Sequence, residues 1–178
     1  MRRLARWHIW LGWLVGVPML LWTLSGVLMV VRPIEDVRGT HLRLNPEQRP
    51  ALTITPAQIT AGPGQTISEL RSFMQHGRAI TLATAPDGRI TRYDAATGAA
   101  LPPLDEAEAR VVLRSAVRGG DQVTIIRGFD PRNPPLDLRK PVAVWQATLT
   151  DGTRVYINRD SGEIEAVRTR WWRFYDFM

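Results

Sequence analysis

From Trp7 to Val31 the chain carries no Asp, Glu, Lys or Arg, and His8 is the one titratable side chain in the run. A helix over this stretch rises about 37 Å, enough to cross a hydrocarbon core of about 30 Å with some tilt. A secretory signal has a shorter apolar centre, about 7–15 residues, and ends at small residues. Here the run ends in Val27-Leu28-Met29-Val30-Val31 and then Arg32, which predicts an uncleaved anchor. Residues 32–55, punctuated by Pro33, Pro46 and Pro50, read as a linker without any regular element longer than a turn or short strand. Thr55 and Pro56 suit the start of a short helix over 56–61, closed by Gly62-Pro63-Gly64. Thr66–Phe73, Ala79–Ala85 and Ile90–Asp94 read as strands, with Pro86-Asp87-Gly88 turning the last pair. Over Asp105–Val117 the period changes to that of a helix. Ala109, Val112, Leu113 and Ala116 share its apolar face, and Gly119-Gly120 stops it. Gln122–Phe129, Val142–Leu149, Arg154–Asn158 and Ile164–Arg168 are the remaining predicted strands.

The pattern repeats. "DGRITRYDAATG" (Asp87–Gly98) and "DGTRVYINRDSG" (Asp151–Gly162) have equal length, open on Asp-Gly and close on Thr/Ser-Gly, at a shift of 64 residues (Asp87 to Asp151). Each copy predicts a tight hairpin, a strand and a second turn at a glycine, following an alternating strand. The fold class expected is α+β: one transmembrane helix, then two repeats in which a helix packs on antiparallel strands.

Charge places the anchor. The formal net charge is +6, and half of that excess sits on Arg2, Arg3 and Arg6, ahead of the apolar run. After the run, Arg32 and Arg38 are balanced by Glu35 and Asp36, so the positive-inside tendency puts the N-terminus in the cytoplasm and the main domain outside. No basic stripe suited to nucleic acid is visible, and nucleic acid is not an expected partner. The chain has no cysteine, which excludes disulfides, thiolate metal sites and cysteine nucleophiles.

Motifs for catalysis are missing from the sequence: no G-x-S-x-G, H-E-x-x-H, phosphate-binding G-x-x-x-x-G-K or EF-hand loop occurs. Asp105, Glu106 and Glu108 crowd the first turn of the predicted helix, where its dipole favours anions. His41 and His76 read as surface residues. The loop "FDPRNPPLDLRKP", with Asp130, Asn133 and Asp137, reads as a projecting, partner-contacting segment. Along the apolar helix, Gly12 and Gly16 form a small-xxx-small pair and Ser25-Gly26 a second thin face, suited to docking another helix or a second copy. Trp7, Trp10 and Trp13 suit an interfacial belt. The tail "RWWRFYDFM" places Trp171, Trp172, Phe174 and Tyr175 among Arg170 and Arg173, a mixture suited to lipid headgroups.

Three stretches resemble a known family. "DGTRVYINRDSGEIEAV" resembles the closing hairpin of the PepSY module, and "RWHIWLGWLVGVPMLLWTLSGVLM" resembles the first helix of PepSY-associated membrane proteins. The tail resembles the segment with which those proteins re-enter the membrane, normally running on into a further helix, whereas this chain ends at Met178. The resemblance implies a bacterial inner-membrane protein with a periplasmic binding or regulatory domain, and the one apolar span in this sequence makes it single-pass, a departure from the family's further helices. It also implies that class's association with peptidases and envelope proteins as partners, beside the lipid bilayer. The resemblance divides the chain into a basic N-terminus (1–6), the membrane helix (7–31), the linker (32–55), two PepSY-like repeats (56–103 and 104–168) and an interfacial tail (169–178). Larger relatives resemble ferric-siderophore reductases, and that alternative makes His8 a candidate axial ligand of haem b. The other reading of His8 sets it in the tryptophan belt, with no cofactor bound.

Overall fold

The computed structural model describes residues 2–31, 33–44, 51–59 and 66–177. Helix α1 (Arg2–Val31) stands apart as one continuous helix through Pro18, and none of its most apolar window is buried in the protein. It is long and apolar enough to cross a membrane. A short helix α2 (Ile34–Arg38) and a 3-10 turn (Thr40–Leu42) follow, then two antiparallel sheets. The first sheet runs β1 (Glu69–Gln75), β2 (Arg78–Thr84), β3 (Ile90–Asp94) in that order. The second, in the order β4-β5-β6-β7, comprises β4 (Val123–Phe129), β5 (Val144–Leu149), β6 (Arg154–Asn158) and β7 (Ile164–Arg168). Helix α3 (Glu106–Ala116) connects the sheets and α4 (Arg170–Phe177) follows β7. The α+β class expected from the sequence is therefore present, with every predicted strand of the two sheets within a few residues of its expected place.

The two closing turns match bond by bond, although the three-stranded sheet has no helix of its own preceding it and the four-stranded sheet has α3. Asp94 Oδ1 accepts from the Ala96 and Thr97 N–H groups at 3.0 and 3.1 Å; 64 residues on, Asn158 Oδ1 accepts from Asp160 and Ser161 at 2.8 and 3.1 Å. The N–H of Gly98 donates to Asp94 O at 2.8 Å and that of Gly162 to Asn158 O at 2.9 Å. Ala95 N–H reaches back to Ala79 O, as Arg159 N–H does to Ala143 O, both at 2.9 Å. A side-chain oxygen that gathers successive N–H groups forms an Asx-type turn, and Asp and Asn perform this alike. The copies differ after the turn. Ile164 opens the full strand β7, while its counterpart Ala100 makes only an isolated bridge to Tyr93.

Helix α3 starts as its acidic first turn suggested. Asp105 Oδ1 accepts from Glu108 N–H at 2.7 Å and Glu108 Oε2 accepts from Asp105 N–H at 3.2 Å, a reciprocal capping box. Its apolar face, Ala109, Val112 and Leu113, is buried with Ala147, Val155, Ile157 and Val167 of the second sheet. Each end of α3 also meets the first sheet. Glu108 Oε1 receives Arg92 Nη2 at 3.4 Å, and Ser115 Oγ lies 2.6 Å from His76 Nδ1. Burial lowers the His76 pKa below its ordinary value. Arg71 pairs with Glu163 at 2.7 Å and Gln75 Nε2 donates to Ser161 O at 3.1 Å, so the closing turn of the second copy sits on the first sheet.

Three expectations need correction. Residues 56–59 are not helical; Ala57 N–H is taken by Ala95 O at 2.7 Å, which holds this segment beside the first repeat's turn, and 60–65 lie outside the described residues. The supposed linker is partly structural, since Arg43 pairs with Val117 and α2 packs against β7 and α4. The proline-rich loop does not project as a whole. Pro135 and Leu138 are buried and Asp137 is bonded beneath it, leaving Leu136 exposed.

The close of α3 separates two demands on glycine. Gly119 has φ +75° with open space around it, whereas a Cβ on Gly120 would lie 1.9 Å from the Leu113 carbonyl oxygen. Gly119→Ala is expected to cost about 1 kcal/mol through backbone strain. Gly120→Ala, which forces backbone apart, is expected to cost more than about 3 kcal/mol. Urea unfolding of the two variants in detergent checks the order.

Candidate functional site

The two ends of the folded domain meet at Thr169. Its side chain is buried directly after β7, where Oγ1 donates to Val37 O at 2.9 Å and accepts from Trp172 N–H at 3.1 Å. One hydroxyl thus caps α4 and holds α2, the element that follows α1. The approach is close: a Cβ on Gly39, at the end of α2, would come within 2.8 Å of Val167 Cγ1.

Beneath α4 lies a polar network built on the second sheet. Opposite positions on β5 and β6 bring Gln146 beside Tyr156, and Gln146 Nε2 donates to the Tyr156 hydroxyl at 2.6 Å. That hydroxyl donates to Asp137 Oδ1 at 2.5 Å, and Arg154 Nη1 donates to Asp137 Oδ2 at 3.0 Å. Arg168 Nε donates to the Asp137 carbonyl at 3.0 Å while its guanidinium lies over the Trp172 ring, 4.1 Å from the centroid. Arg139 Nη2 donates to both carboxylate oxygens of Asp176 at 2.9 and 2.8 Å, tying the proline-rich loop to α4. Burial alone raises the Asp137 carboxyl, but the bonds from Tyr156 and Arg154 and the Arg154 charge outweigh it and hold the pKa below its ordinary value. Burial and the neighbouring Asp137 push the Tyr156 phenol far up.

Helix α4 has two unlike faces. Trp172 and Arg173 turn toward the domain and are half-buried. The Nη1 atom of Arg173 is buried and has no hydrogen-bond partner among the described residues; burial, then the Arg154 charge, lowers the Arg173 pKa. On the outer face Trp171, Phe174 and Tyr175 form a ridge with centroid separations of 5.8–6.3 Å, Trp171 40% and Phe174 44% exposed. Arg170 stands beside this ridge, its stem against the Gly152 turn, where a Cβ would meet Arg170 Cδ at 3.2 Å and Arg173 Nη2 at 3.7 Å. The tail therefore divides its residues: Trp171, Phe174 and Tyr175 outward, Trp172 and Arg173 inward.

The α1 residues lie far from this network in chain order and, unlike it, are exposed. Trp7, Trp10 and Trp13 are 72%, 74% and 67% exposed, and His8 is exposed one residue from Trp7. Around Gly12, Gly16 and Gly26 an added Cβ meets nothing within 4 Å, so the notches are open. Ser25 Oγ is bonded to Trp22 O at 2.8 Å within its own helix. Among the described residues no cluster of three or more His, Asp or Glu side chains suits a metal ion. His41 lies on the α2 side of the α4 junction, with Nδ1 3.2 Å from Glu35 O and 3.6 Å from Asp36 Oδ1.

Comparison with protein-family models, with curated proteins and with solved structures finds no match. What sequence reasoning missed is the network below α4. Asp137 was legible only as a loop carboxylate, yet Arg154 and Tyr156 are separated by two positions on a predicted strand and so share a face. That alternation was the available signal.

The Asp137 network carries a pH dependence. A carboxyl whose folded pKa lies below its ordinary 3.8 stabilises the fold above that value, and the contribution is lost as pH falls through the folded pKa. Glu165 acts in the same direction, because bonds from Lys140 and Asn158 outweigh its burial. Thermal melts from neutral pH downward are expected to fall below about pH 4, and to fall less steeply in Asp137→Asn, which loses the charge but keeps the shape.

Proposed function

We propose that this chain is a membrane-anchored, non-catalytic binding or regulatory module of the PepSY kind, crossing the bacterial inner membrane once with its folded domain in the periplasm. The observation that carries this reading is α1, whose apolar side chains find no cover in the protein over the length of a bilayer crossing. Such a surface is stable in lipid or against other membrane helices. Three arginines ahead of the span favour a cytoplasmic N-terminus.

The PepSY assignment is supported by the closing turn "YINRDSGEIEAV", by its bonded counterpart in the first copy, and by α3 packed on an antiparallel sheet. The class implies a peptidase or envelope-protein partner. The open notches at Gly12 and Gly16 suit a second membrane helix, from another protein or another copy.

Fusing alkaline phosphatase, and separately a cytosol-active fluorescent protein, behind Met178 tests the placement. The phosphatase fusion is expected to be active, the fluorescent fusion dark, and the protein to stay in the membrane through alkaline extraction. Fluorescence from the second fusion alone, or recovery of protein lacking α1, overturns the reading. An absorbance spectrum of the purified chain is expected to lack a Soret band; a band lost in His8→Ala moves the protein to the haem-bearing class.

A further inference from the structure

Resting on the anchored reading, we propose that α4 is a second membrane contact: its aromatic ridge enters the interface of the bilayer that α1 crosses, and Arg170 and Arg173 seat the phosphates of anionic phospholipids.

Reach comes first. Thr169 is bonded to Val37, and α1 ends at Val31. Three extended steps to α2 and three helical ones to Val37 cover at most roughly 15 Å. If α1 lies in lipid, the start of α4 is therefore held close to the headgroups whichever way the rest of the domain leans. An amphipathic helix needs no further targeting once it is confined so near its surface.

The chemistry of the exposed side fits that surface. Trp171, Phe174 and Tyr175 present a continuous aromatic ridge, the side-chain type enriched where hydrocarbon meets headgroup. Around α4 stand Arg139, Arg154, Arg168, Arg170 and Arg173, with Asp137, Asp151, Asp176 and, in the pocket beside Arg170 and Trp171, Asp36, which lies 3.6 Å from His41 Nδ1. The aspartates are engaged: Asp137 by Arg154 and Tyr156, Asp176 by Arg139, and Asp151 by the N–H and hydroxyl of Thr153 at 2.8 and 2.9 Å. Arg170 and Arg173 converge on the Gly152 turn, Arg170 with its exposed stem and Arg173 with Nη2. A phosphodiester oxygen beside the Gly152 turn accepts from Arg170 and from Arg173 Nη2, and its charge relieves the repulsion from Arg154. Lipid is favoured over soluble anions because the same helix presents the aromatic ridge.

Depth-dependent quenching on the full-length chain tests this directly. The absence of native cysteine permits single labels at Leu20→Cys in α1, Phe174→Cys in α4 and Ile125→Cys on β4, the sheet edge opposite β7. Each labelled protein is placed in phosphatidylcholine vesicles, with and without phosphatidylglycerol, that contain shallow or deep nitroxide lipids. The expected result is quenching at 20 by deep nitroxides in both mixtures, at 174 by shallow nitroxides and more strongly with phosphatidylglycerol, and none at 125. Arg170→Gln with Arg173→Gln is expected to lower the membrane-bound fraction at 174 by about fivefold in its equilibrium constant per arginine. Arg170→Gln alone, at an exposed side chain, repeats the test should the double variant fail to fold. Quenching at 20 without quenching at 174 overturns the α4 contact and leaves the anchor standing. No quenching at 20 overturns the anchored reading and the contact with it. Quenching at 174 that ignores both phosphatidylglycerol and the arginine substitutions overturns the phosphate seats.

Discussion

A single buried hydroxyl sets the geometry of this protein. Thr169 has one proton to give and lone pairs to offer, and it spends the first on Val37 and the second on Trp172. Each bond contributes roughly 1 kcal/mol. Their importance lies in what they join, since the partners are separated by most of the chain. Other contacts reinforce it, since Arg139 pairs with Asp176 of α4 and Arg43 bridges to Val117 after α2, but Thr169 is the residue that bonds to both elements. With it, the last helix is fixed within a short distance of the first.

The second sheet makes that link rigid. One face is closed by α3, and the other by the proline-rich loop and α4. Enclosing both faces required polar side chains on the second face to find partners, because a buried donor left alone costs about 1–3 kcal/mol. Tyr156, Arg154 and Gln146 meet this demand through Asp137. The loop therefore folds back because its carboxylate completes the network and Leu138 fills the apolar part beside it. Arg173 Nη1 is left over in this arrangement, buried and without a hydrogen-bond partner among the described residues.

Local chemistry made much of the fold legible. Asp-Gly turns and alternating residues placed the hairpins, and the acidic first turn and i, i+3, i+4 apolar face placed α3. The expected helix at 56–61 failed for a non-local reason: Pro56 and Ala57 suit a first turn, but Ala95 claims the Ala57 N–H. The linker likewise contained no sign that Val37 would be bonded to Thr169, a residue distant in sequence. For the tail, aromatic and arginine content indicated an interfacial surface. The inward turn of Trp172 and Arg173 depended on Arg168 and the Gly152 hairpin, which local composition could not reveal.

The difference between the two sheets explains why the surface near α4 belongs to the second. At the shift that aligns the turns, Tyr156 corresponds to Arg92. Tyr156 is buried beside an acceptor held by the returning loop, whereas Arg92 is buried with Glu108 of α3 as its ion-pair partner at 3.4 Å. The first sheet thus meets α3 through polar groups, at Arg92 and His76, while the second buries the helix's apolar face. One helix serves two sheets, with its hydrophobic contribution going to only one. The second copy has the stronger core and the full return strand β7, so it is the one that can support α4 from beneath. A membrane contact built on the first copy would have neither that strand nor the short chain path from α1 to hold it in place.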